Sequence, residues 1–435
     1  GRALAVGDLT GHGLDDVFFG ASRGFKNALF IQQANGRFVP SPQVALAADS
    51  MCEDVDACMA DVNGDGKKDL IVASGGNEFY GTSPMIEPRV YLNTGNGLQK
   101  KEDAFNNVFL NAGSMAAADF NGDGKTDLFI GGRCEPFAYG KTPRSYLLQN
   151  DGTGKFTDVT ATAAPDLSTA GMVTHARWAD MTGDTQPDLL ISSEWQPLQI
   201  YVNNKGKLSK QLIGPETGWW NMMLPVDINA DGQPDIIAGN LGLNSRLTAS
   251  STQPLRMYVT DVDGNGTTEQ ILTYYLDGKE VPFAAKDELQ RQLPILKKQY
   301  LYAEDFAKAN LADIFPNNAL SKGLQLSATS LANSLYLSKG KGQYEAVALP
   351  WLAQLSCYKD ACVVDANGDA LPDVLLVGNF YDNTMQLGRN DADFGTLLIN
   401  EGKGKFRIEL LNGLIVVGES RKILPIKVGG RQAFV

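Results

Sequence analysis

The chain has 435 residues, 43% of them hydrophobic and 20% charged, which is enough for one large all-β domain or for several ordinary ones. Its formal net charge of −12 argues against nucleic acid and anionic membrane surfaces as partners. No apolar stretch approaches the ~20 residues of a membrane-spanning helix, so we expect no direct insertion into a membrane.

An acidic loop motif recurs seven times along the chain, and each copy is followed by an apolar run. A clear copy is Asp61-Val-Asn-Gly-Asp-Gly-Lys-Lys-Asp69, followed by Leu70-Ile-Val72. The first copy is degenerate, because Thr10 and His12 stand where Asn and Asp usually stand. In chain order, the copies begin at Asp8, Asp61, Asp119, Asp180, Asp227, Asp261 and Asp365. Repeats at this spacing are typical of the blades of a β-propeller.

One interval is irregular, between the copies at Asp227 and Asp365. Most copies are followed by a strand, a Gly turn and another strand, as in Tyr146–Phe156. The copy at Asp227 lacks this hairpin until residues 334–344, so the copy at Asp261 is predicted to lie in an insertion within the fifth blade, at residues 243–331. The middle of that insertion has Leu289, Leu293, Leu296 and Tyr300 at helical spacing, which predicts a hairpin followed by a helical piece.

The fold predicted is therefore an all-β, seven-bladed β-propeller that forms a single domain over residues 1–435. Six blades carry acidic loops, and residues 422–428 and 432–435 are predicted to form the strands of a shortened C-terminal blade. Closure of the ring would remove exposed sheet edges. A solenoid of stacked calcium repeats is the competing fold, but it would need shorter and more uniform periods.

The chemistry of the loops predicts structural calcium ions. Calcium takes six to eight hard oxygen ligands, and the loop at Asp61 supplies oxygens at positions 1, 3, 5 and 9 with a backbone carbonyl at position 7. The alternative interpretation is that Asp, Asn and Gly only form turns and bind no ion. His12 is a poor calcium ligand, so the first loop is the weakest site. The predicted metal ligands are Asp8, Thr10, Asp16, Asp61, Asn63, Asp65, Lys67, Asp69, Asp119, Asn121, Asp123, Lys125, Asp127, Asp180, Thr182, Asp184, Gln186, Asp188, Asp227, Asn229, Asp231, Gln233, Asp235, Asp261, Asp263, Asn265, Thr267, Glu269, Asp365, Asn367, Asp369, Leu371 and Asp373.

Two pairs of cysteines are close in sequence, and each pair stands just ahead of an acidic loop. Cys52 with Cys58 and Cys357 with Cys362 are compatible with local disulfides in an oxidising compartment. The alternative is that all four are small buried strand residues. Cys134 is left over as a free thiol.

The motif resembles the FG-GAP/VCBS repeats of integrin α-subunit propellers and of many secreted bacterial proteins. Gly75-Gly-Asn-Glu-Phe79, Leu376–Tyr381 and Gln386-Leu-Gly-Arg389 resemble, more specifically, the large secreted VCBS-repeat proteins of Bacteroidetes related to cartilage acidic proteins. The resemblance covers nearly the whole chain. It implies a calcium-bearing propeller with seven blades and an extracytoplasmic location, and it implies no firm activity.

Topology suggests where a partner would bind. If each acidic loop joins the first two strands of its blade, the segments before the first strand and after the second lie on the opposite face. Those segments interleave aromatic side chains with carboxylates, amides and Arg, which suits a polyol. The candidate ligand-binding residues are Glu53, Asp54, Asn77, Glu78, Arg133, Glu135, His175, Arg177, Glu194, Trp195, Trp219, Trp220, Asn221, Tyr358, Lys359, Asp360, Asn379 and Tyr381.

Three functions compete at this point. The first is a binding or adhesion module that recognises a glycan or an extracellular protein, as part of a longer polypeptide. The second is a carbohydrate-active enzyme of the lyase or dehydratase kind, although no catalytic signature supports it and no catalytic residue is predicted. The third is a purely architectural segment of a larger surface protein.

Overall fold

The computed structural model describes residues 3–315, 318–384, 386–409 and 413–435. It is nearly all-β, and its antiparallel sheets follow one another along the chain. The strands of the first three sheets are β1 (Leu4–Gly7), β2 (Asp16–Phe19), β3 (Ala28–Gln32), β4 (Phe38–Pro40), β5 (Glu53–Ala60), β6 (Asp69–Gly75), β7 (Arg89–Asn93), β8 (Leu98–Lys100), β9 (Ala112–Ala118), β10 (Asp127–Gly132), β11 (Tyr146–Asn150) and β12 (Phe156–Asp158).

The next three sheets include one that is formed by a segment lying between two strands of another sheet. The fourth sheet has a fifth strand, β17, paired with β14, and β24 and β25 complete the sheet begun by β18 and β19. The strands are β13 (Met172–Ala179), β14 (Asp188–Gln196), β15 (Gln199–Asn204), β16 (Lys207–Leu212), β17 (Gly218–Trp219), β18 (Met222–Val226), β19 (Asp235–Gly239), β20 (Leu255–Thr260), β21 (Glu269–Leu276), β22 (Lys279–Pro282), β23 (Leu324–Ala328), β24 (Ser334–Ser338) and β25 (Tyr344–Ala348).

The last sheet of four strands is followed by a sheet of two. Its strands, and those of the final pair, are β26 (Tyr358–Val364), β27 (Asp373–Gly378), β28 (Thr396–Asn400), β29 (Phe406–Glu409), β30 (Pro425–Val428) and β31 (Arg431–Phe434). The helices are α1 (Val44–Ala48), α2 (Thr160–Ala163), α3 (Lys286–Gln292), α4 (Leu296–Gln299), α5 (Ala303–Lys308) and α6 (Leu311–Ile314), with 3₁₀ turns at Pro84–Ile86, Pro165–Thr169, Ala319–Lys322 and Trp351–Gln354.

The burial of the second strand explains the apolar run after each acidic loop. All seven residues of β6 are buried, as are all five of β19 and all six of β27. A strand in the middle of a sheet that is packed on both faces has no polar side, so it lacks the alternation of a half-exposed strand. The core accordingly lies between neighbouring sheets, where Leu70, Val72 and Phe18 pack together.

The sheets are arranged around a common centre through their first strands. β1 contacts β5, β5 contacts β9, β9 contacts β13, β13 contacts β18, and β18 contacts β26. Close approach at this centre requires small residues. A Cβ added at Gly113 in β9 would lie 2.0 Å from the carbonyl oxygen of Val173 in β13.

The C-terminal tail lies between the sixth and the first of these sheets. Ile423 packs against Cys362 and Leu375 of the sixth sheet, and Ile426 packs against Leu4 and Val17 of the first. Of the two strands predicted here, the first begins at Pro425 and not at residue 422, and the second is Arg431–Phe434. This two-stranded sheet occupies the place of a last blade, and the count of seven blades stays a prediction.

The segment between β19 and β24 forms a separate sheet, in the order β22-β21-β20-β23. α3 and α4 pack on it, and Leu289, Leu293, Leu296 and Tyr300 form an apolar cluster with Tyr258 of β20 and Ile271 of β21. The helical structure predicted from the spacing of those residues is therefore present, as α3 and α4. No helix in the described part of the chain is both long and apolar enough to cross a membrane.

Of the two alternatives for the cysteine pairs, local disulfides are not formed, because all five cysteines are free. Cys52 and Cys58 are six residues apart along an extended segment, a separation of ~20 Å. Cys357 and Cys362 are held apart in the same way by β26. A disulfide needs Cα atoms within ~7 Å, so proximity in sequence works against pairing here. The alternative, that these are small strand residues, describes them correctly.

Candidate functional site

Each acidic loop joins the first two strands of its sheet. Ala60 pairs with Asp69 across the second loop, and Ala118 pairs with Asp127 across the third. The first Asp of the loop holds the turn together, because the carboxylate of Asp61 accepts hydrogen bonds from the amides of Gly64 (2.7 Å) and Gly66 (2.8 Å). The φ values of Gly64 and Gly66 are +74° and +83°, which lie in a region that favours Gly. The chain thereby curls around the carboxylate.

The last acidic residue of each loop is buried at the start of the second strand. Asp69 accepts hydrogen bonds from the amides of Val62 (3.0 Å) and Asn93 (2.8 Å). Burial raises the pKa of the Asp127 carboxyl to about 7, and the neighbouring carboxylates of Asp123 and Asp119 raise it as well. A cation in the loop would oppose both effects.

Three of the loops bring acidic groups close enough to share an ion. In each, the candidate ligand atoms lie within 4.8 Å of one another, and these loops could hold a metal ion. The groups are Asp8 with His12 and Asp16, Asp119 with Asp123 and Asp127, and Asp261 with Asp263 and Glu269. Carboxylate and amide oxygens are the ligands that hard divalent cations prefer, so the donor set fits such an ion.

The first loop differs because His12 fills it. Its Nε2–H donates to the carbonyl of Gln32 (2.8 Å), and its Nδ1 lies 3.3 Å from the Asp8 carboxylate. The hydrogen bond to the Gln32 carbonyl, together with Asp8 and Asp16, raises the pKa of His12. The imidazole thus places a protonatable group among the carboxylates of this loop.

Neighbouring loops are tied together by asparagines that the sequence interpretation missed. At the end of the third strand, Asn150 donates to the carbonyl of Val62 in the preceding loop (2.9 Å), and Asn203 donates to the carbonyl of Phe120 (2.7 Å). Asn400 makes the same contact with Ile228 (2.9 Å), and Asn93 makes it with Leu9. Adjacent loops therefore lie side by side on one face. The signal was an Asn ahead of the Gly turn in these four hairpins, whereas Gln32 and Ser338 take that place in the first sheet and in the β24–β25 hairpin.

A cavity of about 520 Å³ opens at the opposite end of the first strands. Its charged residues come from the second, third, fourth and sixth sheets around the centre and from the C-terminal tail. The side chains that line it include Asp56, Arg133, His175, Arg177, Glu194, Trp219, Asn221, Lys359, Asp360, Phe380, Asn383, Arg421 and Lys422. This volume is within the ~300–1,000 Å³ typical of small-molecule pockets.

β-Bulges precede several of the lining residues. The pairing register shifts between Asp54 and Asp56 in β5, between Val173 and His175 in β13, and between Tyr358 and Asp360 in β26. A bulge breaks the strict alternation of side chains and re-aims the residue that follows it. Asp54 is consequently buried in an ion pair with Arg89 (2.5 Å), whereas Asp56 lines the cavity.

Ion pairs hold most of the lining charges. Arg133 Nη2 donates to Glu194 (2.6 Å), and Arg177 lies 3.6 Å from Asp360. Lys422 from the tail pairs with Asp56 of β5. Burial opposes ionisation of Glu194, but Arg133, the Tyr139 hydroxyl and Lys359 keep the pKa of its carboxyl below the ordinary value.

His175 is a neutral base in this setting. Burial, with Arg177 and Lys422 nearby, lowers the pKa of its imidazole well below 6.5. Its Nδ1 has no hydrogen-bond partner within the described ranges. The same holds in those ranges for Arg133 Nη1 and Trp219 Nε1, so three lining residues each carry a buried nitrogen without a partner.

The candidate ligand residues divide into two groups. The cavity brings together Arg133, His175, Arg177, Glu194, Trp219, Asn221, Lys359 and Asp360. Asp54, Trp195, Trp220, Tyr358 and Asn379 are instead buried, and Glu53, Asn77, Glu78, Glu135 and Tyr381 lie outside the cavity lining.

The buried group has structural partners. Trp220 packs on Tyr336, and the Tyr358 hydroxyl hydrogen-bonds to Thr396. Sequence interpretation also missed Asp56, Arg421 and Lys422, since each reaches the cavity only through a bulge or through the return of the tail.

Part of the chain matches a known repeat family. The model of the FG-GAP-like repeat matches residues 8–72, 61–130 and 180–238. No curated protein sequence matches the chain.

Solved structures similar to this chain include a lectin of Agrocybe aegerita described as recognising non-reducing terminal N-acetylglucosamine, at 14% identity, with 99% of this chain and 98% of that chain covered and a TM-score of 0.35. The Dos1 propeller has 13% identity over 54% of this chain and 53% of its own, with a TM-score of 0.34. The V. cholerae biofilm matrix protein Bap1 has 14% identity over 99% of this chain and 72% of its own, with a TM-score of 0.31. At these TM-scores the likenesses carry no conclusion about ligands.

The family match and the architecture agree with each other. The matched segments contain five of the seven acidic loops, those that begin at Asp8, Asp61, Asp119, Asp180 and Asp227, each followed by a second strand. The sheets containing those segments are antiparallel and pack around a common centre. The chain therefore contains FG-GAP-like repeats and has the all-β architecture of a β-propeller.

Proposed function

We propose that the chain is a calcium-stabilised extracytoplasmic binding module, whose ligand is a glycan or an extracellular protein held in the central cavity. The observation that carries this proposal is the cavity itself, where charged, amide and aromatic side chains from separate sheets meet. Concave pockets with a few convergent polar groups are the usual form of a ligand site. The acidic loops lie at the other end of the first strands, which leaves the cavity free for a partner.

Calcium in the acidic loops is part of this proposal. The loops offer clustered oxygen ligands, and burial makes their last carboxylates costly to ionise without a cation. An ion in each loop would fasten the first strand of a sheet to the second. The role is structural, because the loops lie away from the cavity.

The proposal also treats residues 1–435 as one propeller domain with residues 243–331 inserted in its fifth blade. Pairing of β19 with β24 supports this, since the insertion leaves and returns within one sheet. Leu247 and Leu255 of the insertion pack beside Met172 and Trp195, so it contributes to the wall near the cavity.

A binding screen tests the proposal. The protein would be applied, with calcium present, to an array of neutral and acidic glycans and of extracellular matrix proteins, while the absorbance of unsaturated sugar products is followed in parallel. We expect binding without turnover. Trp219→Ala should weaken that binding about tenfold, because an aromatic wall of the cavity is lost.

The matched control is Trp351→Ala, since Trp351 is 71% exposed and does not line the cavity. This variant should bind as the original protein does. Silence on every probe, or binding that survives Trp219→Ala in a folded protein, would contradict the proposed function. Turnover would favour the enzyme instead.

A further inference from the structure

The balance of charge in the cavity is opposite to that of the whole protein. The chain has a net charge of −12, yet Arg133, Arg177, Lys359, Arg421 and Lys422 all line the cavity. Four of these cations have a carboxylate partner. The pairs are Arg133 with Glu194, Arg177 with Asp360, Arg421 with Glu419, and Lys422 with Asp56. Lys359 is the cation that remains.

Lys359 is held by neutral groups. Its Nζ donates to Asn221 Oδ1 (2.8 Å) and lies 5.1 Å from the centre of the Phe380 ring. No carboxylate in the described parts of the chain lies within ion-pair distance of it. An amide and an aromatic face orient an ammonium group without neutralising its charge. The cavity therefore keeps one positive charge in excess.

Asn221 connects this charge to an aromatic wall. Its Nδ2 donates to the carbonyl of Trp219 (3.1 Å), so Lys359 and Trp219 are fixed beside the same amide side chain. The Trp219 ring is in turn braced by an edge contact with Trp195, at 5.3 Å between ring centres. An apolar ring face and an unneutralised ammonium group thus occupy one wall of the cavity.

Hydrogen-bond donors lack partners in the same place. Arg133 Nη1 and Trp219 Nε1 are buried donors without acceptors in the described residues. An unpaired buried donor destabilises the protein, because it has lost its hydrogen bonds to water. A ligand that brings acceptor oxygens would offset part of that destabilisation after a small movement of either side chain.

We propose that the ligand of this cavity is a saccharide bearing a carboxylate, with the acid on Lys359 and the sugar ring against Trp219. This deepens the proposed function and rests on it. A ring C–H face suits an indole, and hydroxyl oxygens suit the free donors. A cavity of about 520 Å³ favours a single sugar unit over the broad surface of a folded protein, whose interfaces bury ~800 Å² on each partner.

Titration calorimetry with matched oligosaccharides tests the inference. The probes are an oligogalacturonide and the same oligomer with its carboxyls methyl-esterified, each with calcium held constant and in excess. We expect the acid to bind at least tenfold more tightly than the ester. The difference should shrink as NaCl is raised, because salt screens a single exposed charge pair.

Lys359→Met removes the charge and keeps most of the length of the side chain. It should weaken binding of the acid about tenfold, the effect of one charge-assisted hydrogen bond, and leave the ester unchanged. Lys298→Met is the control, since Lys298 is exposed on α4 in the insertion. That variant should bind both oligomers normally.

Two failures are distinguishable. If neutral glycans bind in a Trp219-dependent manner, and neither the carboxylate nor Lys359 matters, the charge inference is overturned while the proposed function stands. If no glycan or protein binds, or Trp219→Ala has no effect on a folded protein, both are overturned.

Discussion

Single residues at the centre of the ring are constrained by how closely the first strands approach one another. Gly113 of β9 faces the backbone of β13, with no room for a methyl group. Gly7 of β1 faces instead the flexible end of Lys68, whose Nζ would lie 3.0 Å from an added Cβ. The same substitution therefore has different consequences at the two positions.

Gly113→Ala should destabilise the fold by about 1–3 kcal/mol, because backbone atoms of β13 cannot yield as a side chain can. Thermal denaturation with calcium present measures the change. Gly7→Ala is the control, and a small shift is expected there. Equal midpoints for Gly113→Ala and the original protein would show that the inner strands are less tightly packed than the structure indicates.

Four pairs of neighbouring sheets are joined by a repeated contact, in which an Asn near the end of the third strand reaches the loop of the preceding sheet. Asn203 is buried and donates to the carbonyls of Phe120 (2.7 Å) and Pro187 (3.0 Å). Asn204, the next residue, is exposed. Because successive side chains of a strand point to opposite faces, Asn203 joins two sheets whereas Asn204 faces solvent.

Asn203→Ala should lower the free energy of unfolding by about 1–3 kcal/mol, since two carbonyl groups lose their buried donor. Asn204→Ala should lie within ~0.5 kcal/mol of the original protein. Urea denaturation of both variants gives the comparison. A similar loss in the two would contradict a structural role for the contact.

Calcium binding by the third loop should depend on pH. The pKa of Asp127 is raised to about 7 in the metal-free protein, so this carboxyl holds a proton on the acidic side of that value and must release it to bind calcium. Apparent calcium affinity should therefore fall as the pH drops from 8 to 6. Calorimetry in two buffers with different enthalpies of ionisation would detect the released proton, and the absence of any proton release near pH 7 would contradict the assignment.

At the scale of the whole molecule, the acidic loops and the cavity lie on opposite faces of the ring. The acidic loops gather on one face, where carboxylates repel one another unless cations intervene. The cavity on the other face is built from charges that already have partners, apart from Lys359. The acidic loops and the cavity are thereby separated by the length of the first strands.

Removal of calcium should weaken the entire ring and not one loop. A ligand that binds only the folded state stabilises it by mass action, so EDTA should lower the thermal midpoint sharply and excess calcium should restore it. Elemental analysis of the same samples would give the number of ions per chain. An unchanged midpoint in EDTA would contradict the structural role of calcium.

The sequence by itself determined where the acidic loops and the second strands lie. Those features depend on local patterns, since Asp and Gly at fixed spacing curl the loop and an apolar run marks a buried strand. Tertiary structure decided which residues reach the cavity. Asp54 and Asp56 look equivalent in sequence, but a bulge between them sends the first to Arg89 and the second to the cavity. Lys422 meets Asp56 only because the tail returns across the ring, which no local pattern records.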